Sequence, residues 1–334
     1  MNSAKLFLVL VYIATNTESE NNDVYGKDWV VFANSKGKLH YVSLTISKET
    51  VEERIHPASV NYQPRYWLYT RKTINNSEEI LVPIQNKTNY DPKATLVVLV
   101  HGWLSDRDGD SVQLIKNAIL TTPNIDNNVI IMDWSSMQSL NYITSAENTL
   151  SAAEKLKDFV QSLAKLYHIQ GSKIRFIGHS LGAHIVGLAG VKLKQNNLTV
   201  SRVTGLDPAS PFFELPPTYP GITRDAASFV DIIHTSAGIL GISNAVGHVD
   251  FYPGGGIDQR ALCPPSILPG LCEHSTAYIY FQKSFTMKFK ARKCHGYFLE
   301  ILGLCEGNDV QYMGEPCEPT ARGSYFLNIT TLNN

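Results

Sequence analysis

The 334-residue sequence has no apolar run that approaches the roughly twenty residues needed for a transmembrane helix. The formal net charge is only −1 at pH 7, so the overall balance does not predict binding to nucleic acid. The few cysteines lack the paired short spacings typical of a zinc site. No repeat, low-complexity segment or Pro/Gly-rich linker divides the chain. These absences predict one globular domain over residues 19–334.

The amino terminus has the pattern of a secretory signal peptide. Lys5 supplies a positive charge, residues 6–14 are apolar, and a polar stretch follows. The apolar run is too short to cross a bilayer. We therefore expect residues 1–18 to be removed, with cleavage near Thr17 or Ser19, and the mature protein to be secreted. Glycosylation sequons compatible with secretion occur at Asn75, Asn86, Asn197 and Asn328.

The segment Gly178-His179-Ser180-Leu181-Gly182 lies between a strand-like run, residues 173–177, and a run of small and apolar residues, 183–190. A serine hydroxyl becomes an effective nucleophile only with a base beside it and with its side chain held clear of the backbone. A sharp strand-turn-helix corner meets the second condition, and the glycines leave room where a β-carbon would collide. A bare G-x-S-x-G occurs by chance in many loops, but this context predicts a nucleophile elbow at Ser180.

A second strand-like run, residues 94–100, leads directly into His101-Gly102-Trp103. In a hydrolase sheet such a strand end provides one oxyanion-hole donor, and the residue after the nucleophile provides the other. We therefore assign the hole to the backbone N–H groups of Trp103 and Leu181. Packing at the strand end explains the side chains of His101 and Trp103 equally well, because the chemistry uses the backbone.

The acid and the histidine of a triad follow the serine in this chain order. Asp207 ends the short apolar run 203–206, and Pro208 stops the strand there. A turn-forming Asp before Pro is the alternative interpretation. Asp231 and Asp250 are rivals, but each lies within a strand-like run rather than at its end.

Two histidines after Asp207 are candidates for the base. His234 ends the run 229–233 and is more typical of a structural residue beside the site. His274 follows Cys272 in a late segment, which we expect to be a loop tethered by a disulfide and able to place the imidazole over the elbow. We therefore prefer His274.

Five sequence blocks, given below in chain order, resemble those of the pancreatic-lipase family. The likeness is greatest to short-lid insect members, including venom phospholipases A1. The likeness covers about residues 25–330. It implies ester hydrolysis of lipids through Ser180, Asp207 and His274, without a catalytic metal or other cofactor. The blocks are Gly178–Gly182, Gly205–Ala209, Ile233–Ser236, Gly247–Pro253 and Cys272–His274.

The resemblance also implies disulfides Cys263–Cys272 and Cys294–Cys305. Cys317 is then left over, and the sequence leaves open whether it is free and buried, capped or intermolecular. Thr276 stands where the family usually carries Arg. Pancreatic-type lipases continue into a β-sandwich domain, whereas this chain ends about sixty residues after His274, so neither that domain nor a colipase-like partner is expected.

The loop between Cys263 and Cys272 contains eight residues, three of them prolines. It is too short and too rich in proline to form the helical flap of long-lid members, so we expect the site to stand open in water. Apolar residues of this loop and of the segment after Asp207 are candidates for contact with a lipid surface, although they could equally pack their own loops. These candidates are Ile267, Leu268, Leu271, Phe212 and Phe213.

The coarse pattern along the chain predicts an α/β fold, an α/β-hydrolase with a central, mostly parallel sheet and helices on both faces, because strands alternate with helical runs after residue 94. Alternation over 29–33, 39–46 and 66–71 predicts antiparallel strands at the edge of that sheet. The basic cluster at 288–293 is better explained by an exposed strand than by binding of lipid head groups or glycans. One helix face is predicted to carry Ala153, Leu156, Val160, Leu163 and Tyr167.

The sequence thus predicts a secreted serine hydrolase that acts on phospholipid or acylglycerol substrates at lipid surfaces. Phospholipase A1 activity is the first choice, because a short lid leaves room for a polar head group. Hydrolysis of neutral acylglycerols or galactolipids is the alternative. A non-catalytic lipid-binding protein on the same scaffold is disfavoured, because all three triad positions are present.

Overall fold

The computed structural model describes residues 23–34, 37–44, 62–82, 88–214, 218–266 and 268–329. The predicted signal peptide, Asn86 and Ile267 lie outside the described residues. The strands are β1 (Trp29–Ala33), β2 (Leu39–Ser43), β3 (Arg65–Tyr69), β4 (Glu78–Ile80), β5 (Thr95–Val100), β6 (Asn127–Asp133), β7 (Ile174–His179), β8 (Arg202–Leu206), β9 (Phe229–Ile233), β10 (Val249–Pro253), β11 (Phe289–Lys293), β12 (Val310–Met313) and β13 (Gly323–Leu327). The helices are α1 (Asp110–Thr121), α2 (Tyr142–Tyr167), α3 (Leu181–Gln195), α4 (Leu271–Lys283) and α5 (Tyr297–Ile301).

An 11-stranded sheet forms the centre of the fold, in the order β12-β11-β13-β10-β9-β8-β7-β5-β6-β3-β4. The strands from β13 to β6 in that order run parallel. The outer strands β3, β4, β11 and β12 are antiparallel. The predicted mostly parallel sheet is confirmed. Since parallel strands end at one edge of a sheet, the residues that follow β5, β7, β8 and β9 meet there.

Both faces of the sheet are covered, as predicted. In β5, Leu96, Val98 and Val100 point into one hydrophobic core together with residues of α2 and α3. Val97 and Leu99 point into the other core, which α1 and α4 complete. This double burial explains why the strand reads as a continuous apolar run.

Helix α2 carries its apolar side where the sequence predicts it. Ala153, Leu156, Val160 and Leu163 are buried, and Tyr167 packs partly buried against the same core. The helix begins after Asn141, whose side chain accepts a hydrogen bond from the N–H of Thr144. None of the described helices is long and apolar enough to span a membrane.

The amino-terminal strands differ from the prediction. β3 is antiparallel as expected and lies next to the edge strand β4 of the large sheet, but β1 and β2 form a separate antiparallel pair. The ring of Phe32 in β1 packs against Trp103 and Tyr142, with ring centroids 5.3 Å from each. An alternating pattern predicts a strand but not the strand with which it pairs. The apolar face of this pair packs against residues that lie beyond the carboxyl edge of the large sheet, Trp103 and Tyr142.

Candidate active site

Ser180 lies at a strained corner between β7 and α3, with φ 57° and ψ −125°. A β-carbon on Gly178 would stand 2.2 Å from the carbonyl oxygen of Gly182, and one on Gly182 would stand 2.4 Å from that of Val100. Both positions therefore require glycine. The predicted strand-turn-helix context of Ser180, with crowded glycines on either side, is present.

Asp207 and His274 form a direct contact although they are far apart in the sequence. The Nδ1 atom of His274 lies 2.6 Å from Oδ2 of Asp207. The other carboxylate oxygen accepts the backbone N–H groups of Thr235 at 2.7 Å and Ser236 at 3.1 Å. The carboxylate therefore acts as an acceptor on both sides, which makes Nδ1 of His274 the donor and leaves Nε2 free to accept a proton.

The hydroxyl of Ser180 and Nε2 of His274 share one cavity of about 130 Å³. Neither atom has a hydrogen-bond partner among the described residues. A buried polar atom without a partner is uncommon. The two atoms line the same cavity without a hydrogen bond between them, and their roles as nucleophile and base stay a prediction.

His274 lies in the first turn of helix α4, so the prediction that it lies in a loop is wrong. Its N–H donates to the carbonyl of Gly270 at 2.8 Å, and Glu273 accepts the N–H of Gly270 at 2.8 Å. The helix can begin here because Pro269 is the last proline before it. Thr276, in the position where Arg was expected from the family pattern, is buried and donates to the carbonyl of Glu273 at 2.7 Å.

Trp103 follows β5 and Leu181 opens α3, which brings both near Ser180. The N–H of Leu181 is at the first position of its helix, where no intrahelical acceptor exists. The side-chain amide of Gln138 is hydrogen-bonded to the backbone on each side of Trp103. Nε2 of Gln138 donates to the carbonyl of Gly102 at 2.9 Å, and Oε1 of Gln138 accepts the N–H of Leu104 at 2.7 Å. The assignment of the two N–H groups to an oxyanion hole stays a prediction.

The side chains of His101 and Trp103 serve packing. The indole N–H of Trp103 donates to the carbonyl of Ser139 at 2.8 Å. The imidazole of His101 accepts the N–H of Trp134 at 3.2 Å and is fully buried. Their contacts agree with the packing interpretation of these side chains.

His179 precedes the nucleophile and supports the helix that carries His274. Its Nε2 lies 3.0 Å from the carbonyl oxygen of His274. Burial lowers the pKa of His179 to about 3, and the proximity of His274 contributes. His179 is therefore a neutral donor to that carbonyl rather than a second base.

His234 has a structural role beside the acid, as predicted. Its Nδ1 and Nε2 each lie 2.9 Å from an acceptor, the carbonyl of Ile242 and the carboxylate of Asp250. Burial lowers the pKa of His234, but the hydrogen bond to Asp250 and the charge of that carboxylate outweigh it, so the pKa is raised. The ring braces the segment whose Thr235 and Ser236 amides hold Asp207.

The expected lipid contact is wrong for Leu268 and Phe212, because both are only 3% exposed. Next to Leu268, the carbonyl of Pro269 accepts a hydrogen bond from the hydroxyl of Tyr25 at 2.9 Å. The segment after Asp207 is held by Tyr142, whose hydroxyl donates to the carbonyl of Pro211.

The remaining candidates for lipid contact are half-buried. Phe213 stacks on His184 with ring centroids 3.7 Å apart. Leu271 lines the cavity of Ser180. Neither side chain is fully exposed. Phe213 and Leu271 therefore pack near the site and offer little apolar area for contact with a lipid surface.

The cavity is more enclosed than the open site that we expected, since Ser180 is 2% and His274 5% exposed. The hairpin β1–β2 provides a wall through Phe32, Ala33 and Asn34, whereas Leu271 alone lines the cavity among the described residues between Cys263 and Cys272. Sequence reasoning missed this wall and Gln138. It also missed Asp110, an exposed carboxylate at the start of α1 that lines the same cavity.

The cysteine pairs expected from the family pattern are present as Cys263–Cys272 and Cys294–Cys305. Cys317 is free and buried. Burial raises the pKa of its thiol to about 12, with a contribution from Asp231. This thiol is therefore protonated and unreactive at neutral pH.

The sequence matches the profile of the Lipase family over residues 33–328. Pancreatic triacylglycerol lipase of Homo sapiens is 28% identical over 251 residues, covering 68% of this chain and 52% of that protein. Lipase member H of Xenopus tropicalis is 36% identical over 250 residues, covering 71% and 52%. Lipase member H of Oryctolagus cuniculus is 33% identical over 273 residues, covering 76% and 56%. The chain spans about half the length of these curated relatives.

Among solved structures, a carboxylesterase from Mesorhizobium loti is similar with a TM-score of 0.33 and 15% identity. The match covers 46% of this chain and 70% of that one. A similarity of this size adds nothing to the functional argument.

Proposed function

The chain belongs to the Lipase family, and on that premise we propose that it hydrolyses carboxylic esters of lipids. The observation that carries the proposal is the 2.6 Å contact between His274 and Asp207 beside the unpartnered hydroxyl of Ser180. The resemblance to the pancreatic-lipase family is confirmed by the family match. The narrower likeness to insect and venom members stays a prediction.

Catalysis follows from the roles that the geometry permits. Nε2 of His274 removes the proton of Ser180 as Oγ attacks the acyl carbonyl, and Asp207 stabilises the imidazolium. The N–H groups of Trp103 and Leu181 hold the oxyanion of the tetrahedral intermediate. His274 then protonates the leaving alcohol, which departs and leaves an acyl-enzyme on Ser180. Water, deprotonated by His274, attacks the acyl group and releases the fatty acid.

Within this chemistry we propose phospholipase A1 activity, with neutral acylglycerols or galactolipids as the alternative substrates. The shortness of the loop between Cys263 and Cys272 supports the phospholipid choice, since eight residues with three prolines cannot form a helical flap over a polar head group. The relatives named pancreatic triacylglycerol lipase favour the neutral substrates. Secretion after removal of residues 1–18, with action on lipid surfaces outside the cell, belongs to the same proposal.

The test is hydrolysis of phosphatidylcholine and a triacylglycerol side by side by the purified protein, with the released acyl position resolved. Ser180→Ala and His274→Ala should each lower turnover by several orders of magnitude, and Asp207→Asn somewhat less. Activity on a dispersed ester should survive a chelator, because two amides already polarise the carbonyl. A folded Ser180→Ala protein with near-native activity would refute the assignment, as would a loss of activity with EDTA that calcium restores.

A further inference from the structure

The most apolar part of the exposed surface lies in the loop closed by Cys294 and Cys305. Sixteen large hydrophobic residues are exposed in the described chain, and five of them fall within the seven positions from 298 to 304. We refer to these five residues as the α5 surface. They are Phe298 (71% exposed), Leu299 (36%), Ile301 (55%), Leu302 (54%) and Leu304 (68%). Scattered exposed hydrophobic residues are ordinary, whereas such a concentration marks a surface that something covers.

The one acidic residue of this loop, Glu300, points inwards, whereas His295 at its start is exposed. The Glu300 side chain is only 16% exposed, and its Oε1 lies 3.8 Å from Nε of Arg292. Arg292 also donates to the carbonyl of Glu306 at 2.6 Å. Tyr297 packs so closely on Gly255 that a β-carbon there would stand 2.6 Å from its ring. The loop is therefore fixed in place with its apolar residues outwards.

The size of the α5 surface fits a lipid surface better than a protein partner. A stable protein interface uses roughly 20–30 residues on each side, whereas this surface offers five from one loop. Insertion into the interfacial region of a bilayer needs only a few apolar side chains at the depth of the head groups. A small apolar loop meets that need.

The charges around the loop agree with this occupant. Lys290 and Lys293 on β11 are exposed, and no acidic side chain points outwards between residues 297 and 304. Glu306 and Asp309, just beyond the disulfide, are exposed and offset the two lysines. The near-neutral balance suits a zwitterionic phospholipid surface, and we expect no strong dependence on anionic lipid.

We propose that the α5 surface docks the protein onto phospholipid surfaces by inserting Phe298, Ile301, Leu302 and Leu304 into the head-group region. The inference rests on the proposed function in that docking would bring the enzyme to aggregated substrate. The proposal assigns lipid contact to the Cys294–Cys305 loop. The sequence pattern had instead suggested the loop between Cys263 and Cys272 and the segment after Asp207.

The experiment compares two matched triple variants in a Ser180→Ala background, so that vesicles are not consumed. The first changes Ile301, Leu302 and Leu304 to Ser. The control changes Ile125, Leu81 and Leu166 to Ser, the same residue types with exposures of 53%, 58% and 50%. Co-sedimentation with phosphatidylcholine vesicles, with and without phosphatidylglycerol, gives the partition constant, and circular dichroism checks folding.

We expect the first variant to bind vesicles about tenfold more weakly or worse, and the control to change less than about twofold. The first triple variant with Ser180 restored should hydrolyse a monomeric soluble ester at the wild-type rate. Equal vesicle binding by the two variants would overturn the proposal. Dimerisation of the parent that the first triple abolishes would overturn it in favour of a second copy as the occupant. If ester hydrolysis is absent while the difference in binding remains, the proposed function fails and the docking surface stands.

Discussion

Gln138 holds the backbone on both sides of Trp103. One end of its amide donates to the carbonyl before Trp103 at 2.9 Å, and the other accepts the N–H after it at 2.7 Å. Leu104 at this turn has φ 54°, a conformation that non-glycine residues rarely adopt without support. The Trp103 peptide, whose N–H is assigned to the oxyanion, is therefore oriented by a side chain from another part of the chain.

Replacing Gln138 by Leu should lower kcat about ten- to a hundredfold with little change in KM. The reason is that a misdirected N–H stabilises the transition state less, while substrate binding is retained. Steady-state kinetics on a soluble ester would measure this, together with the affinity for a phosphonate that mimics the tetrahedral intermediate.

The control for Gln138 is Gln161→Leu, a partly exposed glutamine on α2. Gln138→Glu keeps the acceptor for Leu104 but loses the donor to Gly102, so it should lie between the wild type and Gln138→Leu. A Gln138→Leu protein with weaker substrate binding and an unchanged kcat would contradict a role in orienting Trp103.

The residues that sequence reasoning found are those marked by local patterns. Ser180 follows a strand and precedes small residues, and Asp207 ends an apolar run before a proline. Gln138 and Phe32 carry no such signal, since their importance arises from contacts with distant segments. The burial of a loop residue also depends on tertiary packing. Leu268 was therefore predicted to contact lipid although it is buried.

Acid should destabilise the protein through two buried, neutral histidines. Burial lowers the pKa of His184 to about 4 and that of His179 to about 3. The unfolded chain takes up protons near the ordinary pKa of 6.5, whereas the folded protein does so only at lower pH. Stability is therefore present above about pH 6.5 and is lost as the pH falls towards 4, by up to about 1.4 kcal/mol per pH unit for each histidine.

Urea unfolding at pH 7 and at pH 4.5 would measure this loss. In His184→Gln the difference in stability between the two pH values should shrink, whereas the exposed His295→Gln should keep it. His184 is suited to the test because its Nδ1 accepts the N–H of Ile222 and its Nε2 faces the carbonyl of Ala209. Protonation of His184 at Nδ1 would place that new N–H donor against the N–H of Ile222 and break the hydrogen bond. An unchanged difference in His184→Gln would contradict the prediction.

Asp110 should bias the enzyme against anionic substrates. It lines the cavity, and none of the cavity-lining residues is Lys or Arg. Changing it to Asn should raise the rate on phosphatidylglycerol relative to phosphatidylcholine by roughly three- to tenfold, as expected for about 1 kcal/mol between charges in a hydrated site. Asp108→Asn, two residues before it, is the control, since the Asp108 side chain is 74% exposed and does not line the cavity. A ratio that shifts equally in both variants would make the effect one of general surface charge.

The wild-type enzyme should show little interfacial activation, despite its enclosed serine. The wall over the site is the β1–β2 hairpin, and its anchors Val30 and Val31 are 0% and 1% exposed. Phe32 adds contacts to Trp103 and Tyr142, so displacing the hairpin would expose apolar core and cost more than binding at a surface readily supplies. The loop between Cys263 and Cys272 is too short to take the place of a flap. The rate on a short-chain ester should therefore rise smoothly as the substrate concentration passes its aggregation point. A sharp jump there would mean that the hairpin or the segment 211–225 opens as a lid, and it would remove the main support for the phospholipid preference.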